Sequence, residues 1–161
     1  MTLLQGISSL CGGVDPSGLT IVEYLPLPYI DTSTLDIFIN DDQVFLGTIE
    51  SQYNAGWLRA HLMTKPKEWS DQMRNDEQGP FYEREVEGVI PSHSAALAKE
   101  LQAMKQFRYL VRVIDRSQQR WLLNTPEHGA RFEHTFSTET RTHRIRFVTQ
   151  VPFQAPVWNW N

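Results

Sequence analysis

The chain has 161 residues, of which 40% are hydrophobic and 21% charged, with a net charge of −4. That suits one domain with a single core and holds no stretch long and apolar enough for a membrane span. The lone cysteine, Cys11, excludes an intramolecular disulfide and a cysteine-based zinc cluster.

The opening MTLLQGISSLCGG has no basic n-region and is not read as a signal peptide, so a cytoplasmic protein, or one released from the cytoplasm without a signal, is expected. Charge is unevenly spread. Residues 1–58 contain no Lys or Arg and carry −7, which leaves +3 for the rest of the chain. Beyond Lys105 every Lys or Arg is an arginine. An acidic end and an arginine-rich end can match each other between copies and build rings or filaments. Nucleic acid is not the expected partner, because Asp115, Glu127, Glu133 and Glu139 interrupt the basic stretch and the whole chain is acidic.

In chain order, a Gly- and Ser-rich segment (about 1–18) reads as a mobile start. LTIVEYLPLPYI (19–30) begins as a strand, and Pro26 and Pro28 end it or hold it at an edge. LDIFINDDQVFLGTIE reads as a hairpin turning at Asn40, Asp41 and Asp42. GWLRAHLMT (56–64) alternates as a strand, while the polar KPKEWSDQMRNDEQG is expected to be a long loop with at most one helical turn. PFYEREVEGVI (80–90) alternates again, with Tyr82, Arg84, Val86 and Gly88 on one side and Glu83, Glu85 and Glu87 on the other. PSHSAALAKELQAMKQ predicts a helix over about 92–106, capped by Ser92 or Ser94, with Leu97, Leu101 and Met104 as its apolar stripe. RYLVRVIDRSQQRWLLN then reads as a hairpin turning at DRSQQ.

RFEHTFSTETRTHRIRF (131–147) is the busiest stretch. With STET (137–140) as its turn, Phe132 faces Ile145, His134 faces His143, Phe136 faces Arg141 and Ala130 faces Phe147. The other face then pairs Glu133 with Arg144 and sets Arg131 against Arg146, a mildly unfavourable meeting. Two cross-strand imidazoles suggest a metal, but zinc wants three or four protein ligands, and only Glu127 and His128 in the preceding loop are at hand to complete a set. There is no HExxH spacing, no G-x-S-x-G elbow, no P-loop and no G-x-G-x-x-G. The three alternating glutamates read as a solvated face. No catalytic residue, metal or cofactor is therefore assigned.

Trp57 and Trp121 lie in apolar strands and read as core, while Trp69 falls in the polar segment and Trp158 and Trp160 in the tail. Pro152 and Pro156 keep that tail (about 152–161) extended, as an arm able to reach another chain.

The order of parts resembles a group of small phage and prophage tail-associated structural proteins of tail-tube-like kind. The residues that carry the likeness are Arg108 to Val113, Asp115, Trp121 to Leu123, Gly129 and Phe132, and the likeness covers roughly residues 10–156. The chain departs from that group at Arg116-Ser117-Gln118-Gln119, where Asn-Gly is usual, and at Asn124, where glycine is common. The resemblance implies a single mainly β (α+β) domain, an antiparallel β-barrel or β-sandwich with one packed helix. It also implies a non-enzymatic subunit without cofactor that assembles with itself and with other tail proteins, in the host cytoplasm and then in the virion. The expected assembly surface is Arg108, Arg112, Arg116, Arg120, Trp69, Trp158 and Trp160, together with the 65–80 loop. The competing expectations are a carbohydrate-binding β-sandwich that stacks sugars on Trp69, Trp158 or Trp160, and a small metal-dependent hydrolase built on the histidines and Cys11.

Overall fold

The computed structural model describes residues 4–10, 20–31, 44–45, 56–64, 69–90, 93–152 and 157–158. In chain order its elements are α1 (Ile7–Leu10), β1 (Thr20–Pro26), β2 (Val44–Phe45), β3 (Leu58–Leu62), β4 (Trp69–Asp76), β5 (Gly79–Ile90), α2 (Ala95–Met104), β6 (Arg108–Ile114), β7 (Arg120–Leu122), β8 (Ala130–Ser137), β9 (Thr142–Val151) and β10 (Val157–Trp158). The protein is mainly antiparallel β with one packed helix, as the sequence predicts.

The pairings close a barrel. β6 pairs β1 on one edge and β8 on the other, β8 pairs β9, β9 pairs β5, and β1 pairs β3. A bridge between Met63 and Val89 joins the end of β3 to β5, with reciprocal hydrogen bonds of 2.9 and 3.0 Å. Gly88 permits this approach, because a Cβ there would lie 2.7 Å from Leu62 Cβ. Two branches leave the barrel: β4 pairs β5 from Gly79 to Val86, and β7, β10 and β2 continue from the far end of β6.

Alternation fills the interior. Tyr24, Tyr109, Phe132 and Phe147 are buried and meet edge-on or tilted, with ring centroids 5.3–6.2 Å apart. α2 adds Leu97, Leu101 and Met104, all fully buried. Its cap is Ser94, whose Oγ accepts the Leu97 N–H at 3.1 Å. Tyr109 donates its hydroxyl to the Met104 carbonyl at 2.7 Å, and burial pushes that phenol's pKa far above its ordinary value.

Four expectations need correction. Residues 69–76 form strand β4 rather than a loop; β4 is an edge strand with a solvated outer face, so it lacks the apolar alternation of its partner. Part of the segment read as mobile is packed: Leu4 and Ile7 are in the core, and the Gln5 and Gly6 N–H groups donate to Glu100 Oε1 at 2.9 and 3.1 Å. Part of the tail read as a free arm pairs at home, since Val157 and Trp158 lie between β7 and β2. In the β8–β9 hairpin the turn is 138–141, with Arg141 at φ 52°, so the pairs are Phe132–Phe147, His134–Ile145, Phe136–His143 and Glu133–Arg146. Arg131 consequently faces Val148 rather than Arg146. The register differs by two residues, an even slip that leaves every side chain on its expected face. The hairpin expected at 35–50 falls largely outside the described residues, which include only Val44 and Phe45 of it.

The two branches are tied together by Arg84, which points inward from β5 and is fully buried. Its Nε lies 3.1 Å from Asp71 on β4, and its NH1 donates to the Leu123 carbonyl just past β7 at 2.6 Å. Trp69 of β4 and Trp121 of β7 also meet across the two branches, with ring centroids 5.2 Å apart. Arg84→Ala would remove the buried cation beside Asp71 and the donor to the Leu123 carbonyl, and we expect a loss of about 3–5 kcal/mol in urea unfolding. A loss below about 1 kcal/mol, the scale of an exposed pair, would show that Arg84 does not hold the branches.

Candidate functional site

The residues expected to form an assembly surface differ in exposure where they are described. Arg108 is exposed and has no ion-pair partner among the described residues. It stands across from Arg131 in the β6–β8 register. Arg116 is exposed in the β6–β7 turn and Arg120 is half-buried. Arg112 is not a surface group. Neighbouring strands β3, β1 and β6 align Arg59, Glu23 and Arg112 in register, so that Glu23 accepts from Arg59 at 3.0 Å and from Arg112 at 2.6 Å. The Arg112 guanidinium also lies over the Trp57 ring, 3.9 Å from its centroid. Trp69 packs against Trp121, is half-buried and lines an open groove beside β5. Trp158 lies in β10, whereas Trp160, Ser92 and Cys11 lie outside the described residues.

The turn that departs from the tail-protein pattern is organised by Asp115. Its carboxylate accepts from the Gln119 N–H at 2.9 Å, the Ser117 hydroxyl at 2.7 Å and the Trp121 indole at 3.0 Å. Burial opposes ionisation there, but these donors prevail and hold the carboxyl below its ordinary pKa. Gln118 takes the left-handed position at φ 69° that glycine would otherwise fill. Asn124 is fully buried and works as a piece of backbone: its Oδ1 accepts the Val111 N–H, and its Nδ2 donates to the Tyr109 and His128 carbonyls, each at 2.8 Å.

The histidines are brought together in a way that strand pairing alone does not reveal. His143 on β9 is buried and bonds on both sides: its Nδ1 lies 2.8 Å from His134 Nε2, and its Nε2 lies 2.8 Å from His93 Nδ1. His93 comes from the residues just before α2, 50 positions away. Phe136 stacks against both His143 and His93, at 4.8 and 5.3 Å. This row borders an open depression of about 370 Å³ lined also by Ala98, Lys99 and Gln102 of α2.

The geometry sets the chemistry of the row. Because His143 spends both nitrogens on its two neighbours, one metal ion cannot be shared by all three rings. Among the described residues no group of three or more His, Cys, Asp or Glu side chains is placed to hold a metal. His128, the loop ligand considered above, bonds instead to Thr125 at 3.2 Å. In the neutral row each of the two contacts carries one hydrogen, donated in the same direction along the chain. A single added proton can sit on His143, which then donates both ways; a second proton must break a contact. Burial lowers the pKa of His143 and of His134, and the charges of neighbouring groups lower them further: His134 and His93 for His143, Lys105 for His134.

The alternating glutamates of β5 are answered by arginines across the outer face. Arg146 bridges Glu85 at 2.6 Å and Glu133 at 2.8 Å, Arg144 reaches Glu87 at 3.0 Å, and Arg74 on β4 lies 3.8 Å from Glu83. The three glutamates, Arg74 and Arg144 line one side of a groove of about 450 Å³ between β4 and the end of β3.

No protein-family model matches this chain, and no curated protein matches it significantly.

A folded-state pKa below the unfolded value, about 6.5 for histidine, stabilises the protein above that pH. The contribution is lost as pH falls below about 6.5 and through the folded values. Urea unfolding at a series of pH values should therefore show stability dropping on the acid side of neutrality, and His143→Phe should flatten that slope. An unchanged slope in the variant would mean that the row does not couple to stability.

Proposed function

We propose that this protein is a structural subunit that assembles with copies of itself, of the phage or prophage tail-associated kind, rather than an enzyme. The observation that carries the reading is strand β4. It is eight residues long and ends the sheet order, with β5 as its one strand partner among the described residues. Residues 72–78, from its middle through the tip, are all exposed. An edge strand offers a row of backbone donors and acceptors to another chain. Met73, 62% exposed, adds an apolar side chain at that edge.

Two further features support the reading. The barrel with a flanking helix is the architecture that the resemblance to tail proteins implies. The deep interior is filled by aromatic and aliphatic side chains, and its polar groups, such as Asn124 and Arg84, serve the framework. The host-cytoplasm and virion setting, and partners among other tail proteins, belong to this same proposal.

Sedimentation velocity of the full-length chain over a wide concentration range tests it. The expected result is a species larger than the monomer whose share grows with concentration. A monomer throughout would overturn the reading.

A further inference from the structure

We infer that assembly is head to tail, with the Met73 end of the β4–β5 hairpin of one copy seated in the Phe136 depression of the next. The inference rests on the assembly reading above and adds which two surfaces meet.

The two surfaces lie at opposite ends of the molecule. Met73 is opposite Tyr82 near the start of β5, whereas His143, which faces Phe136, is opposite Ile90 at its end. Eight residues of strand separate those positions, about 26 Å. When every copy points the same way, one copy's first surface meets the next copy's second. Such a contact leaves a free surface at each end and so propagates into rings, stacks or filaments.

The surfaces also match chemically. Met73 is the most exposed of the large hydrophobic residues described, and Phe136, 39% exposed, is another. The depression between Phe136 and α2 is open, and its floor includes the stacked rings of His93 and His143. A flexible thioether is a good fit to such an aromatic-lined recess. The charges beside each surface have opposite signs. Asp76 and Glu77, at the turn next to Met73, are exposed and have no cationic partner among the described residues. Lys99 lines the depression, and Lys105 lies close enough to His134 to depress its pKa; both are exposed and have no anionic partner among the described residues. Such an arrangement favours the head-to-tail orientation and disfavours like ends meeting.

Light scattering after size exclusion, at matched concentrations, tests this on the full chain. The wild type should form species beyond a dimer. Met73→Asp should weaken association by about tenfold or more, with an unchanged thermal melt, because Met73 is exposed. Lys99→Glu with Lys105→Glu, and separately Asp76→Lys with Glu77→Lys, should each weaken assembly, and combining the two sets should restore it in part. Assembly indifferent to Met73→Asp and to both charge reversals would overturn the interface and leave the assembly reading standing. A wild type that stops at a dimer would indicate a self-matching contact and overturn the head-to-tail arrangement. A monomeric wild type would overturn both.

Discussion

A buried arginine sets the shape of this molecule. Arg84 sits on the inner face of β5, where periodicity calls for an apolar residue, and it is fully enclosed. Removing a guanidinium from water is costly, and the loss is offset only where charge and hydrogen bonds are supplied in its place. Asp71 supplies the charge from β4, and the Leu123 carbonyl supplies an acceptor from the end of β7. Burial pulls the Arg84 pKa down and Asp71 pulls it back up. A strand from each of the two branches is thus fixed against the barrel by one side chain. That clasp reinforces the ladder by which β5 holds β4 and its exposed hairpin end.

Much of the fold is legible in the sequence because it depends on local periodicity. The stripe of Leu97, Leu101 and Met104 gives the helix, and the alternation of Tyr82, Arg84, Val86 and Gly88 gives β5 and its inward face. The final hairpin shows how far such reasoning reaches: its faces are correct although its register slips by two, because parity, not register, decides burial. β4 is hidden for the converse reason. Its outer face is solvated and its inner face carries Asp71 as the partner of a buried arginine, so its composition is that of a loop. Arg112 misleads as a surface candidate because its partner, Glu23, is 89 positions distant.

The histidine row illustrates the same limit. Sequence spacing brings His134 and His143 to one face of a hairpin but gives no sign of His93. What joins them is the seating of α2, whose buried stripe carries the residue before its cap to the start of β9. The row that results shares hydrogens among three rings and faces a depression beside exposed Lys99. One end of the barrel therefore offers an apolar recess with a basic border, and the other an apolar knob beside carboxylates that have no cationic partner among the described residues.

The central claim is that the exposed β4 edge and hairpin end become covered when copies associate. Hydrogen exchange read by mass spectrometry on peptides spanning residues 69–79, compared between dilute and concentrated protein, tests it most directly. The account predicts that exchange across these residues slows as assembly proceeds, while the already buried strand β6 is unchanged. Equally fast exchange in β4 under both conditions, with larger species present, would contradict it, because assembly would then use another surface.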